Sequence, residues 1–143
     1  MPETLQVVID CSDPDRIADF WAEALGYIKQ PPPEGFDTWE DALRHFGVPE
    51  ERWGSASAVV DPEGKKPRIY FQKVPEPKTV KNRVHIDVNM ATRATPLEER
   101  RRLVDEHVEK LTGLGATKLR ASDQDGEYHV VMQDPEGNEF CVQ

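Results

Sequence analysis

The chain has 143 residues, 37% hydrophobic and 31% charged, with a formal net charge of −9. That length suits one sizeable core or two small half-domains sharing a core, and the apolar residues cluster periodically, as in a folded chain. The acidic balance argues against nucleic acid and anionic lipid as partners; with no apolar run near the length of a membrane span and no signal-like opening, a cytoplasmic location is expected.

Residues 5–11 alternate, with Leu5, Val7 and Ile9 on one face and Gln6, Val8 and Asp10 on the other, which predicts a strand. Ser12-Asp13-Pro14 then opens a helix, with Asp13 as N-cap and Pro14 in the first helical position. Ile17, Phe20, Trp21, Ala24 and Leu25 recur at helical spacing until Gly26 stops the run. Residues 27–29 suit a short strand. Pro31-Pro32-Pro33 cannot continue regular pairing, so residues 31–54 read as an insertion, with a short helix over 38–46 and a second turn or short helix over 48–53.

Strands are predicted over 56–60 and 68–74, on either side of the turn Asp61-Pro62-Glu63-Gly64, and residues 75–78 form a stiff connector. Residues 83–89 alternate strictly. Val84, Ile86 and Val88 occupy one side of this predicted strand, and His85, Asp87 and Asn89 the other. The longest helix should start at Thr95 as N-cap, with Glu98 three residues on. Its stripe is Leu97, Leu103, Val104, His107, Val108, Leu111 and Leu114, and Gly115 ends it. Strands over 117–120, 127–133 and 139–142 follow, with the turn Asp134-Pro135-Glu136-Gly137 before the last.

The two halves echo each other. Leu5-Gln6-Val7 aligns with Val84-His85-Ile86, Leu25-Gly26 with Leu114-Gly115, and Asp-Pro-Glu-Gly at 61–64 recurs at 134–137. Aligning Ile69 with Phe140 matches Tyr70 to Cys141 and Gln72 to Gln143. The expected fold is α+β, a single domain over 1–143 made of two βαβββ modules, 1–77 and 78–143. Their mixed sheet should curl around a shared cleft, with helices on the outer face carrying Val7, Ile9, Ile69, Phe71, Val84, Ile86, Phe140 and Val142. Gln6, Asp10, Arg68, Tyr70, Gln72, His85, Asp87, Cys141 and Gln143 share the opposite, polar face.

Each polar residue has a functional and a structural reading. His85 suits a general base, oriented by Asp87 or Tyr70, or a histidine satisfied within a polar sheet face. Arg68 suits pairing with a ligand carboxylate or phosphate, or a salt bridge to Asp87 or Glu139. Tyr70 reads as pocket lining. Cys141 and Cys11 read as reduced, inert small residues. Trp39, Phe46 and Trp53 anchor the insertion, or form a lid over a planar ligand. Arg100-Arg101-Arg102 reads as solvated charge offset by Glu98 and Glu99.

Four stretches carry a family resemblance: Ile17-Ala18-Asp19-Phe20-Trp21-Ala22-Glu23-Ala24-Leu25-Gly26, Phe71-Gln72-Lys73-Val74-Pro75-Glu76, Lys81-Asn82-Arg83-Val84-His85-Ile86-Asp87, and Asp134-Pro135-Glu136-Gly137-Asn138-Glu139-Phe140-Cys141-Val142. With them the chain resembles the vicinal oxygen chelate superfamily of glyoxalase I, extradiol dioxygenases and bleomycin- or fosfomycin-resistance proteins. More narrowly, it resembles a glyoxalase-like branch found in many actinobacterial proteins. The resemblance implies a divalent metal (Zn, Ni, Mn or Fe) held from the first and last strands of each module, here at Gln6, Tyr70, His85 and Cys141. Tyr70 and Cys141 stand where the family usually places a carboxylate, which leaves a metal-free site open as well. It implies a small-molecule ligand, with Arg68, Tyr70, Gln72, Asp87, Trp39 and Trp53 as contacts, and a homodimer. The function it implies is a lyase, isomerase or dioxygenase acting on a polar metabolite through His85. The alternatives are a non-catalytic protein that sequesters an antibiotic or metabolite, and an interaction domain without a ligand.

Overall fold

The computed structural model describes residues 3–143. The chain divides into two compact units, Met1–Pro77 and Lys78–Gln143.

In the first unit, strand β1 (Gln6–Cys11) leads into helix α1 (Pro14–Leu25). The cap chemistry is as the sequence predicts. The Asp13 carboxylate accepts from the Arg16 N–H at 3.3 Å, Pro14 occupies the first turn, and Gly26 takes a left-handed φ of 69° while its N–H donates to the Ala22 carbonyl. Ile17, Ala18, Phe20, Trp21 and Ala24 are buried, and the Trp21 ring meets Phe20 edge-on with centroids 5.4 Å apart. Strands β2 (Ile28–Lys29), β3 (Ala56–Val60) and β4 (Arg68–Lys73) complete a sheet of order β1-β4-β3-β2, with β1 and β4 parallel and the rest antiparallel. Val59, Ile69 and Phe71 are buried in the core on which α1 packs. Truncating a fully buried ring such as Trp21 to Ala would cost about 3–5 kcal/mol.

Between β2 and β3 lie helix α2 (Trp39–His45) and a 3₁₀ segment (Glu50–Ser55). The Thr38 hydroxyl caps α2 by accepting from the Asp41 N–H at 3.1 Å.

The second unit repeats this plan. Strand β5 (Asp87–Val88), helix α3 (Leu97–Gly113) and strands β6 (Thr117–Gln124), β7 (Glu127–Gln133) and β8 (Glu139–Val142) give the order β5-β8-β7-β6, again with one parallel pair, β5 and β8. Val104, Val108 and Leu111 of α3 are buried, as are Val130, Met132, Phe140 and Val142 of β7 and β8. The registers preserve the repeat found in the sequence, since Val8 faces Tyr70 and Asp87 faces Cys141. Both Asp-Pro-Glu-Gly turns close alike. Asp61 accepts from the N–H groups of Glu63, Lys65 and Lys66, and Asp134 from those of Glu136 and Asn138.

Four expectations need correction. The strand over 83–89 shrinks to Asp87–Val88, flanked by bonds from the Cys141 N–H to the Ile86 carbonyl and from the Gln143 N–H to the Val88 carbonyl. Its partner β8 begins only at Glu139, which the register sets opposite His85, so no β8 residue stands opposite Arg83 or Val84. Instead the Glu139 carboxylate takes the Asn82 N–H at 3.0 Å, and Val84 is 82% exposed rather than under a helix. Thr95 does not cap α3. Pro96 holds the cap position, and the Thr95 hydroxyl accepts from the Thr92 N–H at 3.2 Å within a turn of its own. Strand β6 runs past residue 120 to Gln124, because Asp125-Gly126, with φ of 57° and 75°, makes a two-residue hairpin turn to β7. Finally, Arg101 bridges to Asp123 and lies 4.9 Å from the Tyr128 ring, and Arg100 donates to the Gly126 carbonyl, so these two tie α3 to the hairpin. Arg102 pairs along its own helix, with Glu99 and Glu106.

Candidate functional site

The first unit contains a cavity of about 760 Å³ between the face of β3–β4 and the segment carrying α2 and the 3₁₀ turn. Its walls include Trp39, Leu43, Trp53, Ala58, Arg68 and Tyr70. The two indoles are fixed by their polar edges. Trp39 Nε1 donates to the Gln30 carbonyl and Trp53 Nε1 to the Val48 carbonyl, each at 2.8 Å. The Arg44 guanidinium lies 5.1 Å from the Trp53 ring. The indoles thus anchor the inserted segment and present ring surface to the cavity.

Arg68 and Tyr70 are two residues apart on β4 and so share a face. Arg68 pairs with Gln6 in the β1–β4 register, and its Nη1 donates to Gln6 Oε1 at 2.8 Å. Its Nε donates to Gln30 Oε1 at 2.7 Å, and its guanidinium sits 5.4 Å from the Tyr70 ring. An arginine only donates, so both glutamines must turn their oxygens to it. Gln30 was not singled out in the sequence, which signals nothing about it beyond its place before Pro31. Also lining the cavity is Lys29, paired with Asp15 and, at 3.1 Å, with Asp19. Burial draws Lys29 towards its neutral form, but its bonds to Asp15 and Asp19 outweigh this and hold its pKa above the ordinary lysine value.

Gln72 lies elsewhere. It is exposed on β4 opposite Asp10 and Ala56, its carbonyl accepts from Cys11 Sγ at 3.5 Å, and it does not line the cavity.

The second unit gathers His85, Asp87 and Cys141, whose ligand atoms all lie within 4.8 Å of one another. His85 Nε2 stands 3.5 Å from Asp87 Oδ1, and the β5–β8 register sets Asp87 opposite Cys141. Partial burial raises the Cys141 pKa, the Asp87 charge raises it further, and Arg120 and Lys81 oppose both. The neighbouring Glu139 bonds the Asn82 N–H and pairs with Lys78 at 3.2 Å.

The residues at the four positions where the superfamily places its metal fit a metal unequally. In the second unit, His85 and Cys141 stand at two of those positions, and with Asp87, which does not, they give an imidazole, a thiol and a carboxylate, a mixed donor set of the kind zinc accepts. In the first unit, Gln6 Oε1 already holds the Arg68 guanidinium, which also lies against Tyr70. A dication between two neutral donors there would face that fixed positive charge at close range.

Two βαβββ units, each a four-stranded mixed sheet backed by a helix, define a protein of the vicinal oxygen chelate class. The model of the Glyoxalase-like domain family matches residues 6–143, and the chain belongs to that family. No curated protein matches the chain. Among solved structures, it is similar to a glyoxalase/bleomycin resistance protein/dioxygenase family enzyme from Burkholderia phytofirmans PsJN, with 17% identity and a TM-score of 0.62 over 96% of this chain and 94% of that one. A possible glyoxalase from Bacillus cereus matches with 12% identity and a TM-score of 0.62, over 100% and 99% of the two chains. A variant of the fosfomycin resistance protein FosX from Listeria monocytogenes, complexed with Mn(II) and 1S,2S-dihydroxypropylphosphonic acid, matches with 14% identity and a TM-score of 0.62, over 100% and 90%. At these identities the likeness is one of fold. No helix among the described residues is long and apolar enough to cross a membrane.

Proposed function

We propose that this glyoxalase-like protein binds a small organic molecule with a planar body in the first-unit cavity, as a cytoplasmic binding protein that sequesters its ligand. The observation that carries this reading is a cavity of about 760 Å³ walled by Trp39, Trp53 and Tyr70, with indoles held in place by backbone acceptors. Pre-fixed aromatic walls bind flat ligands without a large ordering cost. The test is a thermal-shift screen of planar metabolites and aromatic antibiotics on wild type and Trp39→Ala. Stabilisation of the wild type that is lost in the variant supports the reading; no stabilisation by any planar compound rejects it.

A second reading is favoured by the cluster of His85, Asp87 and Cys141. It is a metal-dependent lyase, isomerase or dioxygenase in which His85 is the principal catalytic group. Its test is elemental analysis of the native protein, with thermal shifts in Zn, Ni, Mn and Fe(II). A metal-induced shift abolished by His85→Ala supports it, and an unchanged melting curve with every ion sinks it. A homodimer, as the family resemblance implies, goes with either reading.

A further inference from the structure

The cavity carries an unmatched charge. Among the charged lining residues, Lys29 is paired with Asp15 and Asp19, while Glu40 and Arg52 are exposed to solvent. Arg68 is partly buried, and its hydrogen bonds go to the neutral amides of Gln6 and Gln30; among the described residues it has no carboxylate partner. We propose that Arg68 is a resident cation that receives the anionic group, a carboxylate or a phosphonate, of the cavity's ligand, and that in the first unit it replaces the metal for which Gln6 and Tyr70 would otherwise be ligand positions. The proposal rests on the cavity-binding reading and deepens it by naming the ligand's charge.

Three features carry it. A guanidinium is a planar fork of five N–H donors that matches carboxylate and phosphonate oxygens two at a time. Gln30 takes Nε and Gln6 takes Nη1, which fixes the rotation of the fork and leaves its other donors without a protein acceptor among the described residues. The Tyr70 face beside it holds the plane from another side. An arginine serving only to join two strands would be matched better by a carboxylate than by two amides, because neutral acceptors leave its charge uncompensated in a partly desolvated wall. The same two contacts account for the poor fit of a metal. A divalent ion would have to strip Arg68 from Gln6 Oε1 and then sit beside it without a carboxylate for balance.

The experiment is calorimetric titration of the full chain with benzoate, phenylphosphonate and the neutral isostere benzamide. One or both anions should bind about tenfold or more tighter than benzamide, by an advantage that shrinks as salt rises, and the better of the two identifies the oxyanion the site prefers. Arg68→Met should bring the ratio of anion to benzamide affinity down to about one, and Arg68→Lys should restore only part of that ratio, keeping the charge without the fork. Benzamide binding wild type as tightly as both anions overturns this inference and leaves the cavity reading standing. Failure of all three probes overturns this inference, and the screen of planar compounds then decides the cavity reading by itself. The wild-type comparison decides the matter even if Arg68→Met does not fold. Titration with Mn(II) and Zn(II) tests the metal half: binding unchanged in Gln6→Ala agrees with it, and binding weakened about tenfold in Gln6→Ala overturns it.

Discussion

Arg68 Nε donates to Gln30 Oε1 at 2.7 Å, joining β4 to the last residue before the proline run. The Gln30 N–H is itself bonded to the Ala58 carbonyl on β3, so the acceptor stands on a fixed backbone. Removing the amide leaves the guanidinium in place but frees its rotation. Gln30→Ala is therefore expected to weaken benzoate binding about three- to tenfold, the worth of roughly one ordinary hydrogen bond, because the fork loses its fixed orientation rather than a ligand contact. Calorimetry reads the affinities, and a thermal melt close to wild type shows that the fold is intact.

Cys141 is held as a thiol by burial and by the Asp87 carboxylate. The thiolate is the reactive form, so alkylation by iodoacetamide at mildly alkaline pH should be slow in the wild type. Asp87→Asn removes a charge that raises the pKa and should speed alkylation several-fold. Cys11, at 4% exposure, should stay unmodified in both proteins. Mass spectrometry of the two peptides over time measures this, and equal rates for Cys141 in both proteins would refute the role given to Asp87.

The two matching turns differ in depth. Asp134 is 3% exposed, and its carboxylate accepts from the Glu136 and Asn138 backbone N–H groups and the Asn138 side chain. Asp134→Ala strands those donors in a buried setting and should cost about 2–3 kcal/mol of stability. Asp61 accepts three comparable backbone bonds in a more open turn, where water can replace it. Urea denaturation should therefore show a clearly larger loss for Asp134→Ala than for Asp61→Ala.

Stability should fall on the acid side. The Glu63 N–H, then those of Lys65 and Lys66, lower the Asp61 pKa; Arg102 lowers that of Glu99; the Asn82 N–H, and more weakly Lys78, lower that of Glu139. A carboxyl with a depressed folded-state pKa stabilises the fold above its unfolded pKa, near pH 4, and loses that contribution as pH falls through the folded value. Wild type should thus weaken progressively below about pH 4. Glu139→Gln should be less stable than wild type at neutral pH, with the gap closing in acid. Urea midpoints from neutral pH down to about pH 3 measure both effects, and a gap that stays constant would exclude the Glu139 contribution.

Much of the architecture was legible before any coordinate. Asp13, Pro14 and Gly26 marked the ends of α1 because caps are satisfied by residues within a turn of each other. The repeat was legible because two copies of one pattern, each closed by Asp-Pro-Glu-Gly, seldom arise by accident. The misses have local or register causes. Asp125-Gly126 was a readable hairpin signal that would have extended β6. Thr95 offered a cap, but the preceding Thr92 took its hydroxyl, a competition that spacing does not resolve. The alternation over residues 83–89 suited a full strand, yet a ladder needs a partner, and β8 supplies only four residues.

The sequence by itself determined the order of the elements and the two-module plan, because periodicity, caps and turns are set by neighbours along the chain. Only the tertiary structure decided whom those residues meet. It bound Arg68 to Gln30 and Gln6, 38 and 62 positions away, and set Cys141 opposite Asp87. It separated Gln72 from the cavity that Trp39, Trp53 and Tyr70 enclose. Such meetings depend on strand register, where a shift of one residue turns every side chain to the other face, and register is fixed by the packing of the whole unit rather than by any single segment.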